Sequence, residues 1–269
     1  MTVMLAVANQ KGGVGKTTTA VSLGAEVAAR GVRCLIVDLD AQANATAALG
    51  SSGRDRANVY DLLINKAPLA DIVVDTPQPG LRLAPSSPDL AGAEVELVSE
   101  MAREYRLQRA LKAAEAAFEL VIIDCPPSLG LLTLNALTAA TDVLVPVQCE
   151  YLALEGLSQL SQTVEAVRRN LNPSLKLAGL LLTMFDSRTN LAQQVADEVR
   201  AHFANTFKTV IPRSVRVSEA PSHGLPVSLY APGSPAAKAY AGFAGEFLAA
   251  FQGQLTSVAP TGDERVVQA

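Results

Sequence analysis

A lysine-bearing, glycine-rich turn set between an apolar run and a helical pattern constrains this chain more than any other feature. Residues 3–8 are apolar, Gln10-Lys11-Gly12-Gly13-Val14-Gly15-Lys16-Thr17-Thr18 follows, and Ala, Val and Leu then recur at helical spacing over 17–30 until Gly31 stops the pattern. Gly15, Lys16 and Thr17 match the end of the pattern G-x-x-x-x-G-K-[ST], whose backbone N–H groups and following helix N-terminus cradle phosphates. In such a loop the Lys16 ammonium bridges β- and γ-phosphates and the Thr17 hydroxyl ligates Mg²⁺. The pattern's first glycine is missing: Gln10 takes its place, and an additional lysine, Lys11, comes next. A short glycine motif can also be an ordinary turn before a helix. The strand before it, the helix after it and the second lysine together favour the phosphate reading.

The rest of the chain repeats the strand–helix alternation. Residues 32–37, 81–85, 119–123, 142–147 and 177–183 are apolar runs of strand length, most of them separated by helical patterns such as 152–171 and 191–203. The runs are too apolar to alternate in and out, so they imply an α/β fold: a mostly parallel sheet with helices on both faces. Residues 51–80, with Pro68, Pro77, Pro79 and Gly80, read as a surface excursion with a short helix near 59–64. A final helix over about 236–251 completes a single domain, 1–251, and the polar, small-residue stretch 252–269 reads as a disordered tail.

Composition narrows the function classes. With 269 residues, 49% hydrophobic and 18% charged, the chain can bury a core without disulfides or structural metal. Cys34, Cys125 and Cys149 are widely spaced within or beside apolar runs, which argues for a reducing cytoplasm and against a disulfide framework. No apolar stretch approaches the roughly 20 residues of a membrane span, and the N-terminus shows no export signal. The net charge of -4 excludes a uniformly basic surface, but Arg200, Lys208, Arg213 and Arg216 stand in a stretch with no acidic residue.

Residues Lys11-Gly12-Gly13-Val14-Gly15-Lys16-Thr17-Thr18 resemble the deviant Walker A motif of the ParA/MinD family of P-loop ATPases. The resemblance implies ATP and Mg²⁺ as cofactors and a nucleotide-sandwich homodimer in which Lys11 reaches the partner's ATP, a cation set against charge developing on phosphoryl oxygens. Leu120–Asp124 followed by Cys125-Pro126-Pro127-Ser128 looks like the family's Walker B strand and Asp-x-Pro-Pro turn, which assigns Asp124 to the metal. Asp38-Leu39-Asp40-Ala41-Gln42-Ala43-Asn44 resembles its switch I segment: Asp40 matches the water-orienting aspartate, and Asp38 sits nearer the metal. Taken singly, these carboxylates could be strand-end or turn residues.

Residues 180–188 and 210–221 are similar to two later blocks of the chromosomal ParA (Soj) branch. By that resemblance Met184 and Pro212 flank the adenine with Arg213 beside them, and Arg188, Arg213 and Arg216 belong to a dimer face that binds double-stranded DNA without sequence preference. The same arginines could instead be a solvated face or internal ion pairs. The resemblance further implies a ParB-type partner that stimulates hydrolysis, and a nucleoid-associated location in the cytoplasm. A membrane-cycling, MinD-like cell-division ATPase is the alternative. That class needs a basic amphipathic C-terminal helix, whereas the final helix here carries only Lys238 and Glu246 as charges. An iron–sulfur reductase of the nitrogenase type needs a cysteine pair at a shared cluster, which these cysteines do not suggest. With the phosphate loop about ten residues into the chain, an N-terminal operator-reading helix-turn-helix is not expected either.

Overall fold

The computed structural model describes residues 2–54, 56–150 and 153–255. Its strands are β1 (Val3–Val7), β2 (Cys34–Asp38), β3 (Val74–Asp75), β4 (Leu81–Ala84), β5 (Leu120–Asp124), β6 (Asp142–Gln148), β7 (Lys176–Phe185) and β8 (Thr206–Pro212). They form one sheet in the order β3-β4-β2-β5-β1-β6-β7-β8. Every neighbouring pair is parallel except β3, which runs antiparallel to β4 at one edge.

The apolar runs are buried on both faces, as a covered parallel sheet requires. Met4, Ala6, Leu35, Val37, Val121 and Ile123 enter one apolar cluster, while Val3, Leu5, Val7, Ile36, Leu120 and Ile122 enter the other, so successive residues serve opposite layers. Helix α1 (Lys16–Ala28) closes the second layer through Ala20, Leu23 and Val27. The helix Pro235–Ala250 joins it there, started by Pro235 and by the Ser234 hydroxyl, which accepts the Ala237 N–H. Its Tyr240, Phe243 and Phe247 are fully buried, each worth on the order of 1.5–3 kcal/mol, so its apolar side is committed to the sheet. The opposite layer is covered by the helices Leu131–Ala139, Ala153–Asn170 and Asn190–His202.

The strand-and-helix alternation is the one expected, with additions. β8 was not foreseen because its residues Thr206–Pro212 are polar and apolar by turns, as befits an edge strand buried on one side. Residues 51–80 carry the short helix expected near 59–64, which runs into a π-helical turn Asp61–Asn65, and add a second short helix Leu69–Ile72 and β3. Leu255, expected in the tail, is buried, and its N–H donates to the Phe251 carbonyl. Residues 256–269 lie outside the described residues.

The parallel arrangement places the carboxyl ends of β1, β2 and β5 side by side. Val7 and Asp38 both pair in register with Asp124. The residues that the sequence marks for chemistry are therefore brought to one edge of the sheet.

Candidate nucleotide-binding and catalytic site

The turn between β1 and α1 is held from three sides. Asn9 donates its side-chain amide to the Pro146 carbonyl at 2.7 Å and accepts the Lys11 N–H at 3.0 Å. The Thr183 hydroxyl donates to the Val14 carbonyl at 2.8 Å, and Val14 itself is buried. Gly15, with φ 87°, makes the left-handed step into α1, which a side chain would strain. The loop thus opens onto a cleft of about 410 Å³ lined by Gly12, Gly13, Gly15, Lys16, Thr17 and Thr18 on one side, and by Asp40, Gln42, Asn44 and Ala47 across it. Met184, Pro127 and Pro221 complete the lining.

Beneath the loop lie three buried charges. The Lys16 Nζ donates to the Lys11 carbonyl at 3.2 Å; burial lowers its pKa, and the Asp124 charge acts against that shift. Asp124 is completely buried, and neither carboxylate oxygen accepts a hydrogen bond of normal geometry. Burial raises its pKa well above the usual carboxylate range; Asp38 adds to the rise, while the Thr17 hydroxyl and Lys16 oppose it. A buried carboxyl without donors is costly unless a cation meets it. The position therefore fits a divalent ion, with Thr17 at the start of α1 as a second oxygen ligand. Asp38 is buried too, but its oxygens are supplied: Oδ2 accepts the N–H and the hydroxyl of Thr46 at 2.8 and 2.7 Å, and Oδ1 accepts the Asp40 N–H at 3.2 Å. Its oxygens, assigned with Asp124 to the metal, are thus already partnered within the protein, unlike those of Asp124.

Asp40 is half-exposed and lines the cleft, and one of its carboxylate oxygens accepts the Gln42 N–H at 3.0 Å. Its neighbourhood is the helix α2 (Asn44–Ala48), which starts from Ala43 at φ 52°. Met184 also has positive φ, 51°, at the end of β7, an uncommon state for a non-glycine residue and one concentrated at functional sites. Pro212 pairs in register with Phe185, and the Arg213 N–H donates to the Phe185 carbonyl at 3.1 Å. Both stand beside Met184 without lining the cleft.

The remaining assigned residues face outward. The Lys11 Nζ lies 3.2 Å from Glu150 Oε2 of its own chain, and Arg213 reaches the other oxygen of Glu150 at 3.6 Å. Arg188 makes a two-pronged pair with Asp186, at 2.8 and 2.7 Å, and holds that carboxyl down at about 2. Arg216 pairs with Glu219 at 2.9 Å. All three arginines are more than half exposed, but each has an acidic companion, so the surface is less bare of negative charge than residues 199–218 alone suggest.

Sequence reasoning did not single out Thr46, Glu150, Thr183 or Pro221. Pro221 and Glu219 lie within the stretch 210–221 and Thr183 within 180–188, the two stretches that carry the family resemblance. Thr46 and Thr183 carry no signal of their own, because their importance comes from which strand end they meet. One further contact crosses the site: Gly50, which follows α2, lies backbone to backbone against Gly224. Both are left-handed, φ 71° and 64°, and a Cβ on Gly224 would come within 2.7 Å of the Gly50 Cα.

A family model described as an AAA domain matches residues 2–177. The sporulation initiation inhibitor protein Soj of Bacillus subtilis is 54% identical over 248 residues, spanning 91% of this chain and 98% of that protein. The chromosome partitioning protein ParA of Myxococcus xanthus is 52% identical over 229 residues, 84% of this chain and 81% of the relative. A crystal structure of cobyrinic acid a,c-diamide synthase from Mycobacterium smegmatis with bound ADP and magnesium matches with a TM-score of 0.83 at 40% identity, covering 97% of this chain and all of that one. That structure carries a different activity name, and its identity is lower than that of either named relative. On sequence, fold and the strand-end site alike, the chain belongs to the ParA/Soj family of chromosome-partitioning ATPases.

Proposed function

We propose that this chain is a DNA-partitioning ATPase: it binds ATP with Mg²⁺ in the cleft, pairs with a second copy, binds duplex DNA without reading its sequence, and hydrolyses ATP faster when a ParB-type partner engages it. The observation that carries the nucleotide reading is the buried, unpaired Asp124 beneath a glycine loop ending in Lys16 and Thr17. Thr17 and Asp124 would hold the metal, which when bound neutralises phosphate charge. Lys16 clamps the β- and γ-phosphates, and the loop N–H groups bind their oxygens. Asp40 orients the attacking water from across the cleft. Met184, Pro212 and Arg213 form the base end, and Lys11 leaves Glu150 to reach the partner's nucleotide.

DNA binding rests on Arg188, Arg213 and Arg216, exposed cations whose ion pairs are open to solvent and weakened by salt. Exchanging a solvated carboxylate for a DNA phosphate is then feasible, and pairing two chains doubles the number of arginines. Among the described residues no helix is long and apolar enough to cross a membrane. The burial of Tyr240, Phe243 and Phe247 also commits the helix Pro235–Ala250 to the sheet rather than to a lipid surface.

A mobility-shift titration on unrelated duplexes, with a non-hydrolysable ATP analogue and at two salt concentrations, tests the reading. Binding is expected only with the ATP analogue, equally on all fragments. The logarithm of affinity should fall with that of salt by about 0.9 for each phosphate contact. Removing the charge at Arg188 or Arg216 should weaken all fragments alike and leave partner-free hydrolysis nearly unchanged. Binding confined to anionic vesicles would move the chain to the membrane-cycling class.

A further inference from the structure

We infer that Thr46 is a positioning residue for hydrolysis, acting through Asp38 on the metal end of the cleft and on Asp40. Its hydroxyl is buried between two fixed groups. The Ser86 N–H lies 2.9 Å from Thr46 Oγ1, and Asp38 Oδ2 lies 2.7 Å from it on the other side. A backbone N–H can only donate, so the hydroxyl accepts from Ser86 and must give its single proton to Asp38. The Thr46 N–H, at 2.8 Å, donates to the same oxygen.

Two donors on one carboxylate oxygen leave it saturated. The capacity that remains on Asp38 is on Oδ1, whose one donor is the Asp40 N–H at 3.2 Å. Thr46 therefore decides which oxygen Asp38 presents and holds it in the rotamer that anchors the Asp40 backbone. Thr46 also belongs to α2, whose Asn44 and Ala47 line the cleft. One side chain thus ties together the end of β4, the end of β2 and the wall that faces the phosphates. Without the hydroxyl, Asp38 Oδ2 keeps only the Thr46 N–H, so the carboxylate that accepts the Asp40 N–H is held less firmly and the water-orienting carboxylate stands on a looser base.

The inference rests on reading Asp38 and Asp124 as the metal end of an ATP site. Its test compares Thr46→Val, which keeps the shape but not the hydroxyl, with Thr46→Ser, which keeps the hydroxyl. Binding of a fluorescent ADP analogue is measured with and without Mg²⁺, and hydrolysis is resolved into kcat and KM. Thr46→Val should bind the Mg²⁺-free nucleotide like the wild type. It should require roughly tenfold more Mg²⁺ for half-maximal effect, and lose roughly 10–100-fold in kcat with KM within about twofold, the range for partners that orient a ligand group. Thr46→Ser should restore both. If Thr46→Val does not fold, Thr46→Ala against Thr46→Ser still isolates the hydroxyl, since these two differ in nothing else. Wild-type kcat and Mg²⁺ dependence in Thr46→Val, or equal loss in Thr46→Ser and Thr46→Val, would overturn the inference. A wild-type protein whose nucleotide binding ignores Mg²⁺ would instead bring down the reading of the metal end, and the inference with it.

Discussion

Asp124 shows how a residue can be wrong for stability and right for chemistry. Both its oxygens are buried and lack a hydrogen bond of normal geometry, and the neighbouring Asp38 has its pKa pushed up to about 6, chiefly by burial. A carboxyl whose folded value exceeds its unfolded value of about 3.9 destabilises the native state above the upper value and no longer does so below the lower. The nucleotide-free protein should therefore gain stability from this pair as pH falls through about 6 toward about 4. Asp124→Asn should flatten that gain and raise the melting midpoint near pH 7 by about 2–4 °C, equivalent to about 1 kcal/mol in a chain of this size, while abolishing turnover. Thermal melts of both proteins across that range check the claim; a lower midpoint for the variant at neutral pH refutes it. Asp40 makes the opposite case. It is half-exposed at the cleft, so Asp40→Ala should bind ATP normally and lose hydrolysis at least tenfold, since placing a water matters to the transition state and little to the ground state. Single-turnover kinetics beside calorimetry separate the two effects, and an unchanged hydrolysis rate would reduce Asp40 to a strand-end carboxylate.

The elements differ in how far their sequences announce them. β1, the glycine turn and α1 were legible because a fully apolar strand, positive-φ glycines and a helical repeat follow one another within 28 residues, each with its own local signal. The aspartates at the ends of β2 and β5 were legible for a similar reason: a charge directly after a buried parallel strand has nowhere to go but the sheet's carboxyl edge. The helix expected near 59–64 is there, running from 59 into the π-helical turn Asp61–Asn65, but β3, β8 and the helix Leu69–Ile72 were not legible, since an edge element half in solvent needs no apolar run and takes its shape from what it packs on. The pairing of Lys11 with Glu150 was likewise invisible, because it joins the loop between β1 and α1 to the end of β6, 139 residues away. That contact sets the expected behaviour of the loop. Lys11→Ala should leave ADP affinity within about twofold, because an exposed ion pair with Glu150 contributes little to the fold, yet diminish ATP-dependent pairing of chains. Sedimentation in ADP and in ATP distinguishes these states, and equal loss of both nucleotides would make Lys11 an ordinary part of its own site.

At the scale of the whole molecule, the parallel sheet collects its chemistry on one edge, and residues far apart in sequence become neighbours there. Gly50 and Gly224 are one such close meeting: a methyl group on Gly224 would collide with the Gly50 backbone, one on Gly50 would be crowded, and both occupy a backbone region that other residues avoid. Gly224→Ala should cost about 1–3 kcal/mol through strain and displaced backbone, read as a lower urea midpoint at unchanged slope. A neutral result would show that the seam yields easily. On one side of this seam run Asp40 and α2, on the other Pro221 and the segment that carries Arg216. Side chains between two loops act as cushions that re-pack when one loop shifts; at Gly50 and Gly224 main chain bears directly on main chain. The two loops should accordingly gain or lose hydrogen-exchange protection as one unit when ATP enters, so that news of the γ-phosphate reaches the arginine surface by a push rather than by a relay of charges.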